Sequence, residues 1–371
     1  ARADRAVGIR RLSSDPSCPH FGACGGCTPQ DRPDQDYITH KCDQLATALR
    51  RAGFADAALS PPVRIGPGER RRMDLAAYRT HNGAALGLHR QRSREIVDLT
   101  TCLVLHPELV ALLPPLRGLL TRLQALRRQG SVIANLLDSG PDVLLRTDGP
   151  LPLADRIALT GFARAHGLPR IAWAHGSDEP EPIAVLRPPT ASLSGVAITP
   201  PPGAFLQASA SGEAAIVAAT RAALPAKGRI AELFAGCGTI TFALAKHARV
   251  AVWEGDAASA SALRSAANHA GLAGRIEVMQ RDLARQPLQA KELRGFAAAV
   301  LDPPSAGAAA QVAQIAAARI PVVIYVSCNP ATLSRDARSL HPAGYRVTAA
   351  TPIDQFLWST RLESVVAFAA G

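Results

Sequence analysis

The residues best suited to covalent chemistry lie in two short segments, Asp302-Pro-Pro-Ser305 and Ser327-Cys-Asn-Pro330, each ending an apolar run of strand length (297–302 and 321–327). If those runs are neighbours in a parallel sheet, both segments emerge at its carboxyl edge, where open α/β sheets bind ligands. Pro303 and Pro304 stiffen the turn after Asp302, and Pro330 restricts the backbone of Asn329. In so rigid a turn Cys328 reads as a positioned nucleophile rather than as a packed core cysteine.

A third loop has the makings of a cofactor site. Ile230-Ala-Glu-Leu-Phe-Ala-Gly-Cys-Gly-Thr239 runs from an apolar strand through a Gly-x-Gly turn into a helix start. Glycines let a ligand approach the backbone, and a helix start offers unpaired N–H groups. Phe234, Gly236, Gly238 and Thr239 would therefore line the cofactor. Glu254 ends the next strand candidate, about 20 residues on, where a carboxylate can hold two ribose hydroxyls; Asp282, after the following strand, is placed to read an adenine edge. This spacing alone suits a nicotinamide dehydrogenase as well as a methyltransferase. Glu232 before the turn, and two glycines where a pyrophosphate-binding turn uses three, favour S-adenosylmethionine.

Cys18, Cys24 and Cys27 fall within ten residues, and Cys102 in Thr101-Cys-Leu-Val-Leu can supply a fourth, distant ligand. In a reducing compartment such a group reads as metal ligands rather than disulfides. Spacing leaves zinc and a four-iron cluster both open. Cys42, on a helix candidate, reads as a packed small residue.

The elements that must position these groups are legible from about residue 200. Apolar runs at 229–235, 249–254, 275–280, 297–302, 321–327, 345–350 and 362–369 alternate with Ala-rich stretches of helical period. They predict an α/β, Rossmann-like domain with a seven-stranded sheet over 196–371. Residues 1–195 read as a smaller α+β domain: a helix over 36–53 that can pack on the catalytic domain, strands near 73–79, 84–89 and 95–99, and Leu-rich stretches over 109–127. The Pro-rich segments 180–189 and 199–203 read as junctions.

Formal net charge is +11, and residues 1–130 carry 20 Lys/Arg against 12 Asp/Glu, so the N-terminal third is the basic part. That asymmetry points to a polyanion, nucleic acid above all, against the blander reading of an Arg-rich composition. Arg70-Arg71-Arg72 and the series Arg90, Arg92, Arg94 are the candidate phosphate contacts, the latter read as one face of a strand. No run approaches the roughly 20 apolar residues of a bilayer span, and the N-terminus lacks the apolar core of a signal peptide. A cytoplasmic monomer acting away from membranes is expected.

The segments Ser327-Cys-Asn-Pro-Ala-Thr-Leu-Ser-Arg-Asp336, Phe234-Ala-Gly-Cys-Gly238, Asp302-Pro-Pro304, Phe205-Leu-Gln207 and Leu362-Glu363-Ser-Val365 together resemble the RNA 5-methyluridine methyltransferases, in particular the bacterial 23S ribosomal RNA branch. The resemblance covers nearly the whole chain. It implies that Cys328 adds to C6 of a uridine, that Glu363 removes the C5 proton, and that Gln207 and Asp302 hold the pyrimidine edge or the cofactor's reacting end. It also implies a [4Fe–4S] cluster on Cys18, Cys24, Cys27 and Cys102, and a uridine taken out of any stack in ribosomal or transfer RNA.

Three departures from the family pattern stand out. The ribosomal branch often carries an OB-type domain before the cysteines, where this sequence has 17 residues. Ser305 stands where Arg is common, and Leu357-Trp358 where the family tends to Pro-His. A non-catalytic cluster-containing RNA-binding protein and a 5-methylcytidine methyltransferase are the rival functions. Retention of Cys328 with Glu363 speaks against the first, and the Ser-Cys-Asn-Pro context against the second.

Overall fold

A computed structural model describes residues 17–371; residues 1–16, including the stretch read for a signal peptide, lie outside it. Two large sheets organise the chain. The C-terminal sheet runs in the order Val63–Arg64, Tyr345–Asp354, Glu363–Ala370, Val322–Ser327, Ala298–Leu301, Ile230–Leu233, Val250–Glu254, Ile276–Gln280. All neighbours are parallel except Glu363–Ala370, which is antiparallel to both of its own. Strand order reverses between Ile230–Leu233 and Ala298–Leu301, and it is at such a switch point, here between the Phe234 turn and Asp302, that open α/β sheets bind ligands.

All seven strands expected from the apolar runs are present. The sheet has eight, however, because Val63–Arg64, from far upstream, adds an edge strand parallel to Ile353–Asp354. Two residues, one of them charged, carry no periodicity that sequence could reveal.

The strands are buried on both faces, which is why they read as continuous apolar runs. One face packs Leu301, Tyr325 and Phe368 against Leu45, Leu49 and Phe54 of the N-terminal segment; the other packs Ile324 and Val300 against Ile216, Phe242 and Leu263. Helix Asp34–Arg51 thus completes the catalytic sheet's core and crosses helix Pro330–Ala337. Each fully buried leucine at this seam contributes roughly 1.5–3 kcal/mol.

The second sheet runs Ile96–Asp98, Gly83–His89, Arg72–Thr80, Gln129–Leu137, Gly140–Thr147, Arg170–His175, Glu181–Val185. Leu-rich helices Pro107–Ala111 and Leu113–Arg122, with Leu153–Ala165, cover one of its faces.

Three expectations are corrected here. Segment 180–189 is no free junction, because Glu181–Val185 is an edge strand of this sheet. The Arg90, Arg92, Arg94 series does not alternate along a strand. It forms the turn after Gly83–His89, with Arg92 at φ +58° and Arg90 paired with Glu95 at 2.8 Å. Nor is Arg70-Arg71-Arg72 a free row. Arg70 donates to the Arg72 carbonyl, Arg71 pairs with Glu213, and the Arg72 guanidinium lies over the Phe205 ring.

Candidate active site

The antiparallel pairing of Val322–Ser327 with Glu363–Ala370 ends at Ser327 opposite Ser364. Cys328 follows directly in the bend after Ser327, and Glu363 begins the partner strand beside Ser364, near enough for its charge to act on the Cys328 thiol. Ser364 Oγ donates to the Ser327 carbonyl at 3.3 Å and pins this end of the pair.

Asn329 explains the Cys-Asn-Pro order. Its Oδ1 accepts from the Ala331 N–H at 3.1 Å, capping helix Pro330–Ala337, while its Nδ2 donates to the Ser305 carbonyl at 3.0 Å. One side chain therefore caps the helix behind the cysteine and clamps the Asp302-Pro-Pro-Ser305 turn to it. Any residue at 305 could offer that carbonyl, so the departure at Ser305 leaves the clamp intact.

Asp302 and Glu363 are joined through two glutamines. Gln207 Nε2 donates to Asp302 Oδ2 at 2.9 Å, and Gln355 Nε2 donates to Gln207 Oε1 at 3.0 Å and to Glu363 Oε2 at 2.8 Å. Gln207, Gln355 and Glu363 are each about 3 % exposed. Glu363 Oε1 has no partner.

These groups raise one another's proton affinity. Asp302 keeps some open surface, yet protein surrounds its carboxyl closely enough that burial pushes its pKa up to about 7, against the pull of the Gln207 hydrogen bond. Burial, then the Asp302 charge, pushes Glu363 well above the carboxylate range, with the Gln355 hydrogen bond opposing. Burial first, then Glu363 and Asp302, push Cys328 up to about 11, while Arg361 pulls it down.

The cofactor candidates gather at the crevice. Phe234 adopts φ +64°, an uncommon conformation for a residue with a side chain, and such strain concentrates at ligand sites. A Cβ at Gly236 would meet open space, so ligand could reach this backbone. Gly238 has a different purpose: a Cβ there would lie 2.8 Å from the Phe242 ring. Glu254 accepts from the Gly236 N–H at 2.6 Å and the Asp256 N–H at 2.7 Å, tying the turn to the next strand end. Asp282 spends Oδ1 on the Ala284 and Arg285 N–H groups and stays about half exposed. Thr239 lends its carbonyl to Ser194 Oγ. Glu232, buried behind the turn with Oε2 unpartnered, is pushed up to about 8 by burial.

Cys18, Cys24, Cys27 and Cys102 line one small cavity, closed by Phe21, Leu88, Leu99, Leu103, Val104 and Trp358. Burial, and then the charges of Cys102, Cys24 and Cys18, push Cys27 up to about 12. Gly25 is required by close packing, since a Cβ there would lie 2.8 Å from the His89 carbonyl; one at Gly26 would lie 3.1 Å from the Leu88 side chain, a tighter fit that Leu88 would have to yield to. Among the described residues, no three His, Cys, Asp or Glu side chains converge as ligands of a single ion.

Sequence reasoning missed the fastening of the loop before Glu363. Tyr37 donates to Asp354 Oδ2 at 2.6 Å and accepts from the Trp358 N–H at 2.9 Å. Lys41 pairs with Asp354 at 2.8 Å, both about 1 % exposed, and donates to the Phe356 and Arg361 carbonyls. A Tyr and a Lys four residues apart on one helix face were the available signal.

Comparison with known proteins places this arrangement. The tRNA (uracil-5-)-methyltransferase family model matches residues 201–370. An uncharacterized RNA methyltransferase of Mesorhizobium japonicum is 40% identical over 354 residues, covering 95% of this chain and 84% of its own. A 23S rRNA (uracil(1939)-C(5))-methyltransferase of Yersinia enterocolitica is 35% identical over 362 residues, covering 95% and 81%. The crystal structure of Pyrococcus abyssi tRNA (uracil-54, C5)-methyltransferase with S-adenosyl-L-homocysteine shares the fold, with TM-score 0.69 and 20% identity over 94% of this chain and 86% of that one.

Proposed function

From the premise that the chain belongs to the RNA uracil-C5 methyltransferase family, we propose that it methylates C5 of a uridine in structured RNA through a covalent bond from Cys328 to C6. The observation that carries the reading is the nearness of Cys328 to Glu363, whose charge raises the thiol's pKa and whose Oε1 is left without a partner among the described residues.

C5 of uracil is a weak nucleophile. Addition of the Cys328 thiolate to C6 makes C5 enolate-like. Phe234, Gly236, Gly238, Thr239, Glu254 and Asp282 would hold S-adenosylmethionine, which when bound would supply an electrophilic methyl sulfonium. After C5 has taken up the methyl group, Glu363 removes the C5 proton; that bond's electron pair restores the C5–C6 double bond and expels the thiolate. Gln207 and Asp302 hold the pyrimidine edge. A thiol raised to about 11 is a poor nucleophile while two carboxylates face it, and a cation brought among them favours its ionisation.

Ribosomal RNA is the favoured substrate, because the 23S rRNA enzyme of Yersinia enterocolitica matches across 95% of this chain. The 20% likeness to the transfer RNA enzyme speaks to fold alone. We read residues 1–195 as the cysteine-cluster and RNA-binding part and 196–371 as the catalytic part. Cys18, Cys24, Cys27 and Cys102 would hold a [4Fe–4S] cluster, tethering the 18–27 segment to the loop at 102. In support, all four cysteines line one small cavity, with His20 and Gln30 as its other polar side-chain neighbours beside Thr101. Methylation requires no electron from it.

The test follows tritium release to water from [5-³H]uridine transcripts of 23S rRNA and of transfer RNA, with S-adenosylmethionine, beside Cys328→Ala. Release that needs Cys328 is expected. No release from either RNA overturns the proposal.

A further inference from the structure

We infer that Gln355 is a positioning residue that fixes which oxygen of Glu363 receives the C5 proton and which way the Gln207 amide faces. The inference rests on the methylation reading above and adds to it a residue that touches neither substrate nor cofactor.

The geometry is a fork. Gln355 Nε2 sends one N–H to Glu363 Oε2 and the other to Gln207 Oε1. Reversing the amide would press its carbonyl oxygen against two acceptors in a buried site, so the orientation is determined by the network itself. With Glu363 Oε2 engaged, Oε1 is the oxygen left without a partner among the described residues and so the better placed to take a proton. With Gln207 Oε1 engaged, Gln207 must turn its N–H group to Asp302, as it does at 2.9 Å. Without Gln355, a protonated Asp302 could donate to a flipped Gln207, and the pair would present the reversed donor–acceptor pattern to a pyrimidine.

A second observation points to the same residue. Gly212 lies in the first turn of helix Ala210–Ala222, where glycine costs up to about 1 kcal/mol relative to alanine. A Cβ there would sit 2.6 Å from Gln355 Oε1 and 2.9 Å from Gln355 Cβ. Glycine at 212 leaves room for Gln355 and also for the capping Ser209 Oγ, which a Cβ would approach at 2.8 Å. Gln355 Oε1, pressed against that helix, has no hydrogen bond, so the position of the side chain comes from packing and its polarity from the fork.

The experiment compares wild type, Gln355→Met and Gly212→Ala in single turnovers on two RNAs, [5-³H]uridine 23S rRNA transcript and the same transcript made with 5-fluorouridine. Fluorine cannot leave as a cation, so the second RNA stops at the methylated covalent adduct and reports thiolate addition and methyl transfer without proton removal. Losing a hydrogen bond to a buried charged group should slow tritium release about 10- to 100-fold in Gln355→Met. Adduct formation on the fluorinated RNA should fall much less, and adduct should accumulate on ordinary RNA. Gly212→Ala, which retains every polar group, should show the same split in weaker form. Equal loss of both rates, or loss of neither, overturns the inference. Failure of wild type to form an adduct would instead overturn the methylation reading.

Discussion

Replacing Lys41 by Met should cost far more than its place on an N-terminal helix would suggest. Lys41 and Asp354 form an ion pair about 1 % exposed on both sides, and burial lowers the lysine's pKa while Asp354 opposes the shift. Removing the ammonium leaves a buried carboxylate with only the Tyr37 hydroxyl, and breaking such a pair from one side costs about 3–5 kcal/mol. Arg64→Ala on the same helix's partner strand is the control. Its pair with Asp34 is 40% exposed on both sides and should be worth about 0–1 kcal/mol. Urea denaturation followed by tryptophan fluorescence measures both. Lys41→Met combined with Asp354→Asn should recover part of the loss, because no charge then remains buried alone. If Lys41→Met lies within about 1 kcal/mol of wild type, the claim that this helix fastens the Glu363 loop is wrong.

Two further outcomes follow from the buried acidic and thiol groups. Glu232 is raised to about 8 in the folded protein against about 4.3 unfolded, so the native state binds the extra proton between those values. Its stabilising contribution is complete below about pH 4 and is lost as pH rises through 8; Glu232→Gln should therefore flatten the fall of melting temperature from pH 5 to 9, by the equivalent of a few kcal/mol. Cys102→Ser, purified without oxygen, should lose iron and acid-labile sulfide together, while Cys42→Ser retains both; zinc in place of iron in the wild type would refute the cluster.

What was legible in the sequence follows from what burial does to it. Parallel strands covered on both faces are largely apolar, so Ile230–Leu233, Ala298–Leu301 and Val322–Ser327 stood out, and the candidate site could be placed at their ends. Edge elements obey no such pattern. Val63–Arg64 exists because a neighbouring strand offers it a ladder, and Arg90, Arg92 and Arg94 mimic alternation while turning a corner. The nearness of Cys328 to Glu363 was implied by family resemblance, but the reason is the antiparallel last strand, whose direction no periodicity reports. Gln355 was invisible for a related reason. Its partners come from positions 207, 212 and 363, and its meaning exists only once they are together.

The departure at Leu357-Trp358 can be placed by the same reasoning. Leu357 is buried, and Trp358, at φ +55°, gives its N–H to Tyr37 and its side chain to the wall of the four-cysteine cavity. Neither residue is bonded to Cys328, Glu363 or Gln355. The substitution therefore falls on the seam between the cysteine segment, helix Asp34–Arg51 and the loop ending at Glu363, where a large aromatic ring fills space and a polar ring would need a partner. A loop gripped by Lys41 at Phe356 and Arg361, by Tyr37 at Trp358, and by packing around Trp358 has little freedom left. The reacting groups can then keep their identities while the residues between them change, because the loop's course is set by its backbone contacts and not by the side chains at 357 and 358.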